Sequence, residues 1–204
     1  MVERQIGARG VRDLRVLQAM LEIPRERFVP PEHRHLSCSD EPISIGFGQT
    51  ISQPYMTALM AECLALTGVE TVLEVGAGCG YHAAVLGALA ARVITIEIIP
   101  ELAEMARGNL AETGWGANVL VVCGDGSLGY PGSAPFGAIS VAAAAEEVPA
   151  ALLEQLGDPG ILVIPVGSSW DQELRVITRQ QGKFGHRVPT RCRFVPLRVG
   201  PAAC

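Results

Sequence analysis

No run of 18 or more apolar residues interrupts this 204-residue chain, so a membrane-spanning helix is not predicted. Runs of lysine and arginine are also missing: Lys and Arg total 16 against 21 Asp and Glu, a formal net charge of −5. A nucleic-acid binder usually carries a basic face or stripe, and that class is therefore disfavoured. The six cysteines, Cys38, Cys63, Cys79, Cys123, Cys192 and Cys204, form no CxxC pair and no His/Cys cluster with zinc spacing. His33 and His35 bracket Arg34 without a third ligand nearby, so no metal site is expected. The N-terminus, Met-Val-Glu-Arg-Gln-Ile-Gly, is charged where a secretory signal would be apolar. A cytoplasmic protein with free thiols, several of them core filler, is the expectation.

What the chain has in quantity is apolar core material. Hydrophobic residues make up 49% and charged residues 18%. That suits one globular α/β domain with a substantial core. Leu14, Leu17 and Leu21 recur at helical spacing and predict a helix over roughly Val11 to Leu21. Pro24, Pro30 and Pro31 then predict irregular structure. The stretch from Pro42 to Pro54 is small and polar without a clear period, and reads as an ordered loop. A helix over Tyr55–Leu66 should follow.

From Thr71 the pattern alternates. Strands are predicted at Thr71–Val75, Val93–Glu97, Val119–Cys123, Ala138–Val141, Ile161–Pro165, Glu173–Thr178 and, last, Arg193–Leu197. Helices are predicted at Tyr81–Ala91, Pro100–Thr113 and Val148–Leu156. Near-continuous apolar strands alternating with helices imply a mostly parallel sheet with helices on both faces. The late helix-free strands imply an antiparallel hairpin at one edge, turned at Gln180–Gly185. We divide one domain, 1–204, into an N-terminal helical and loop segment (1–67), a ligand-binding core (68–167) and C-terminal strands (168–204).

Three successive strand ends carry candidate ligand groups. Glu74-Val75-Gly76-Ala77-Gly78-Cys79-Gly80-Tyr81 turns the first strand of this core into its first helix. Glycines there permit positive φ and close approach of backbone to a ligand. The spacing is GxGxG; Tyr81 stands where a dinucleotide fingerprint would place its third glycine. Preceded by an acid, GxGxG is typical of S-adenosylmethionine enzymes. Glu97 ends the next strand, where a carboxylate can accept from both hydroxyls of a ribose. Gly124-Asp125-Gly126 follows the third, and Asp125 can accept the exocyclic amine of adenine. Taken singly, each has a bland reading as a tight turn, a surface acid or an ordinary loop.

Gly46-Phe47-Gly48-Gln49-Thr50-Ile51-Ser52-Gln53-Pro54 resembles the signature loop of the protein-L-isoaspartate O-methyltransferases. The resemblance extends to Pro24-Arg25, Phe28-Val29-Pro30, Glu32-His33-Arg34-His35, Ile96-Glu97-Ile98, Leu152–Leu156, Val163–Gly167 and Phe194–Leu197. It implies a Rossmann-like S-adenosylmethionine-dependent methyltransferase fold. It also implies transfer of a methyl group to the free α-carboxyl of L-isoaspartyl residues, and to the β-carboxyl of D-aspartyl residues, in damaged proteins and peptides. The ester then closes to a succinimide, whose hydrolysis returns some normal aspartate. S-adenosyl-L-homocysteine is the coproduct. Family roles carry over to Ser52 as the active-site residue, to Thr50, Ile51 and Ser52 as the substrate loop, and to Ile51, Ser52, Glu74, Gly76, Gly78, Gly80, Glu97, Asp125 and Gly126 as cofactor residues. A monomer is expected, with no nucleic-acid or membrane partner.

The chemistry agrees with that assignment. An α-carboxyl with a pKa of about 3.5 is ionised at neutral pH and needs no base to attack a sulfonium methyl. The absence of an obvious catalytic His–Asp pair fits. Ser52 would orient the carboxylate with a hydrogen bond, helped by backbone amides near Ile51. The sequence departs from the family's common residues at Cys79, His82, Gly137, Ala142 and Asp158-Pro159. Cys79 and His82 touch the cofactor turn, while Gly137 and Ala142 are expected near the substrate path. Trp170, within Ser168–Gln172, either borders the substrate groove or is an exposed loop aromatic. Other readings are a carboxyl methyltransferase for a dedicated peptide or small carboxylate, a non-catalytic binder and a nicotinamide dehydrogenase.

Overall fold

The computed structural model describes residues 1–201; Cys204 lies outside them. After a π-helical turn at Val2–Ile6, helix α1 (Leu14–Glu22) starts where Asp13 caps it, its carboxylate accepting from the amides of Arg15 and Val16. Two short 3-10 turns, Arg25–Arg27 and Pro31–Leu36, occupy the proline-rich stretch. The expected loop at Pro42–Pro54 is instead largely a hairpin of β1 (Ile43–Gly46) and β2 (Gln49–Ile51). Phe47 (φ 55°) and Gly48 (φ 71°) form its turn, both left-handed as a tight two-residue hairpin requires. Ile43, Ile45 and Ile51 are buried, a period-two pattern hidden in the sequence by the turn residues. Helix α2 (Pro54–Cys63) follows, with Pro54 in its first turn.

The core alternates β3 (Thr71–Val75), α3 (Tyr81–Leu89), β4 (Arg92–Glu97), α4 (Pro100–Thr113), β5 (Val119–Cys123), β6 (Phe136–Val141), α5 (Ala150–Glu154) and β7 (Leu156–Gly167). Strands β8 (Gln172–Gln180) and β9 (Lys183–Cys192) complete a seven-stranded sheet of order β5-β4-β3-β6-β7-β8-β9. Strands β3 to β7 pair in parallel, and β7-β8-β9 pair antiparallel. Residues of α1, α2, α3 and α4 pack with Val72, Val93, Ala138 and Val163 on one face. Leu152 of α5 packs with Leu73, Ile94, Ile139 and Leu162 on the other. This two-sided burial explains why the parallel strands read as apolar runs.

One expectation is corrected at the C-terminal edge. The last strand is β9, not Arg193–Leu197. Strand β9 is mostly exposed and polar, bearing Lys183, His186, Arg187, Pro189 and Arg191, so it shows no apolar signature. Charges and proline on an edge strand discourage further pairing. Residues 193–197 are apolar for another reason. They cross the ends of the parallel strands, held by Ala144 N donating to Val195 O (2.8 Å) and Leu197 N to Ala144 O (2.7 Å). The cysteines also divide: Cys38, Cys63, Cys79 and Cys192 are free, whereas Cys123 is disulfide-bonded, against the expectation of free thiols throughout.

Candidate active site

Strand β3 has β4 and β5 on one side and β6 and β7 on the other. The chain therefore leaves its carboxyl end at the point where strand order reverses, which opens a crevice there. The turn is built from three left-handed glycines, Gly76 (φ 93°), Gly78 (φ 54°) and Gly80 (φ 88°). Gly76 N and Ala77 N both donate to Ile96 O (2.8 and 3.3 Å), which ties the turn to β4. A side chain at Gly78 would press on Ile45 Cδ1 at 3.2 Å, so the glycine keeps the hairpin close to the turn.

The crevice is lined by Thr50, Ile51, Ser52, Gly76, Gly78, Glu97 and Gly126. Sequence-predicted residues from the hairpin and three strand ends therefore meet in one place. Glu97 is buried at the crevice, its carboxylate accepting from Gly78 N (2.8 Å) and Ile99 N (3.1 Å). Each oxygen keeps a further lone pair for a ribose hydroxyl.

Three predicted cofactor residues do not line the crevice. Gly80 packs against α4, where an added Cβ would lie 3.2 Å from Ala106 O. Asp125 accepts from Ser127 N (2.9 Å), Ser127 Oγ (2.7 Å) and Gly200 N (2.8 Å). These bonds hold its carboxyl below the usual range against the opposing effect of its partial burial. Glu74 is fully buried beneath the turn, accepting from Thr95 Oγ1, with Oε1 3.3 Å from His82 Nδ1. Burial pushes its carboxyl up to about 8 and the His82 imidazole down to about 4.

Ser52 lies on the wall between this crevice and a second, smaller groove. Thr50, Ser52, Ala142 and Val195 line both, while Pro42, Arg193 and Phe194 line the groove alone. Ala142 thus sits where expected, but Gly137 does not. It lies near the start of β6, at the opposite end of the strand, against Glu70. Trp170 is 88% exposed and lines neither cavity; the Arg193 guanidinium lies 5.9 Å from its ring centroid. Cys79 lines the crevice but is buried, which pushes its thiol up to about 11 and leaves it inert as a nucleophile. Among the described residues no cluster of three His, Cys, Asp or Glu could hold a metal.

The sequence reading missed Arg25 as a site residue. Its side chain is buried, and no carboxylate among the described residues faces it. Nη2 donates to Ser52 O (2.7 Å), Nε donates to Ser37 O (2.9 Å), and the guanidinium lies 4.8 Å from the Tyr81 ring centroid. One cation thus joins the hairpin exit to the first residue of α3. Desolvation lowers its pKa. Its only signal in the sequence was the Pro24-Arg25 match. Val195, Pro196 and Leu197, from the predicted strand Arg193–Leu197, also line the crevice, as does Arg198 beyond it.

The residues fit S-adenosylmethionine. A glycine cradle without Cβ atoms and a strand-end carboxylate converge on the crevice, and His82, whose buried Nε2 has no partner among the described residues, also lines it. Comparison with known proteins agrees. The family model described as Protein-L-isoaspartate(D-aspartate) O-methyltransferase (PCMT) matches residues 1–201. Protein-L-isoaspartate O-methyltransferase 2 of Anaeromyxobacter sp. (strain Fw109-5) is 53% identical over 98% of this chain and 82% of its own length. The Methanoregula boonei protein-L-isoaspartate O-methyltransferase is 49% identical over 97% of this chain and 90% of its own. Among solved structures, a Plasmodium falciparum protein, described as a candidate protein-L-isoaspartate O-methyltransferase in complex with S-adenosyl-L-homocysteine, superposes with a TM-score of 0.81. It is 26% identical, over 97% of this chain and 96% of that one. The chain belongs to the protein-L-isoaspartate(D-aspartate) O-methyltransferase family.

Proposed function

We propose that this enzyme methylates the free α-carboxylate of L-isoaspartyl residues, and the β-carboxylate of D-aspartyl residues, in damaged proteins and peptides. The observation that carries the reading is the position of Ser52 on the wall shared by the crevice and the groove. A donor there can hold an acceptor group in one cavity while it faces the cofactor in the other.

S-adenosylmethionine supplies a methyl group on a sulfonium centre, electrophilic enough for a carboxylate to need no base. The work left to the protein is alignment and exclusion of water. Glu97 is placed to accept the ribose hydroxyls, and Gly76 and Gly78 let the backbone approach closely. Ser52 Oγ has no hydrogen-bond partner among the described residues and is free to donate to one carboxylate oxygen. Arg25, through Ser52 O, fixes the backbone that carries this hydroxyl. Phe194 and Val195 close the groove from the C-terminal side, its backbone held where Gln172 Oε1 accepts from Phe194 N (2.7 Å).

The test uses labelled methyl donor and paired peptides that differ only in isoaspartate or normal L-aspartate at one position. Base-labile label on the isoaspartyl peptide alone supports the proposal. No label on either, with S-adenosylhomocysteine binding demonstrated separately, rejects it. Ser52→Ala should lower turnover by about 10²-fold, the scale of losing one orienting donor, while cofactor affinity changes little. Unchanged turnover removes Ser52 from the mechanism.

A further inference from the structure

A row of polar side chains crosses three buried strands under the glycine turn. Thr95 of β4, Glu74 of β3 and Ser140 of β6 stand in register, and all three are fully buried. Polar groups at the centre of a parallel sheet are costly unless they are satisfied. Thr95 and Glu74 satisfy one another in part. Above them His82, in the first turn of α3, has Nδ1 3.3 Å from Glu74 Oε1, an oxygen with no hydrogen-bond partner among the described residues. Its other nitrogen, Nε2, is shielded from solvent and has no partner among the described residues, yet His82 lines the crevice.

The cofactor's linear shape indicates which part of it meets His82. Gly126 follows β5, Glu97 ends β4, and Gly76 and Ala142 follow β3 and β6. With the ribose at Glu97 and the adenine toward β5, the amino-acid end runs toward β3 and β6, over the turn that precedes His82. We propose that His82, oriented by Glu74, donates Nε2–H to the carboxylate of the cofactor's amino-acid end. Glu74 holds its proton at neutral pH, because burial has moved its carboxyl up to about 8. In this proposal the protonated carboxyl turns its O–H toward the neighbouring Nδ1, which leaves the proton of the neutral imidazole on Nε2. The other charged group acting on Glu74 is Glu97 of β4, which reinforces the protonated form. Histidine at this departure from the family's usual residue thereby becomes a binding group.

The experiment is a ligand-by-residue cycle read by calorimetry, without turnover and without protein substrate. It therefore fails or succeeds independently of the isoaspartyl proposal. The two ligands are S-adenosylhomocysteine and its decarboxylated analogue, which lacks only the carboxylate. The wild type should bind the analogue about tenfold or more weaker, the scale of a hydrogen bond to a charged group. His82→Leu should bind S-adenosylhomocysteine weaker by a similar factor and lose little more on decarboxylation. His82→Gln, which keeps a donor, should recover most of the affinity. Equal losses on decarboxylation in wild type and His82→Leu, or unchanged binding in His82→Leu, overturn the proposal. His82→Phe, which keeps the ring volume, takes the place of the leucine variant in the same cycle if that variant does not fold.

Discussion

Gly80 packs against helix α4 and does not line the crevice. Its φ of 88° lies where side chains are strongly disfavoured, at a cost of roughly 1–2 kcal/mol. A Cβ there would stand 3.2 Å from Ala106 O and 3.3 Å from Ala106 Cα, both backbone atoms of α4 that cannot rotate away. Forcing extra volume into a packed contact adds about 1–3 kcal/mol. Gly80→Ala should therefore lose on the order of 2–5 kcal/mol. For a chain of this size each kcal/mol moves the midpoint by about 2–4 °C, so Tm should fall by roughly 4–20 °C. Gly108, on the same helix α4, is the control: its added Cβ meets nothing within 4 Å. Gly108→Ala should stabilise by up to about 1 kcal/mol, the helix propensity difference. Thermal and urea unfolding measure both. Because Gly80 does not line the crevice, S-adenosylhomocysteine affinity well below Tm should change by no more than about threefold, under 1 kcal/mol. An unchanged Tm would refute the packing argument. An affinity loss without a stability loss would return Gly80 to the binding surface.

Arg25→Met removes the anchor on Ser52 O along with a buried cation that no carboxylate among the described residues neutralises. Turnover on an isoaspartyl peptide should fall on the order of 10²-fold through misplacement of Ser52, with homocysteine-cofactor binding largely kept; steady-state kinetics beside calorimetry decides, and unchanged turnover contradicts the anchoring role. Glu74→Gln tests the buried carboxyl by its pH dependence. The folded protein keeps a proton that the unfolded chain releases from an ordinary value of 4.5, so wild-type stability falls as pH rises and the loss is complete above about 8. Glutamine cannot ionise, so the variant's stability relative to wild type should rise across that window, by on the order of 5 kcal/mol. Urea unfolding at several pH values checks it, and a pH-independent difference would show that Glu74 is already ionised in the folded state.

Local chemistry made the parallel core legible. The strands Thr71–Val75 and Val119–Cys123 and the helix Pro100–Thr113 match their predicted bounds, because apolar runs, helical spacing and a first-turn proline act over a few residues. The glycine turn, Glu97 and the loop around Ser52 were recognisable for the same reason. The Ile43–Ile51 hairpin and strand β9 were not. The first buries its isoleucines around a turn that obscures their alternation, and the second owes its conformation to pairing with β8 rather than to its own side chains. The roles of the individual polar groups depended on the tertiary structure. Gly80 and Glu74 look like ligand contacts within a GxGxG stretch, yet packing turns one against α4 and sinks the other beneath the turn. Arg25 and Ser52 are 27 residues apart, and only the folded chain makes them neighbours. Sequence thus determined which strand ends carry the site's chemistry, because those signals are local. Which side chains reach the ligand was decided by long-range packing, since burial and hydrogen-bond partners are properties of the assembled sheet and helices.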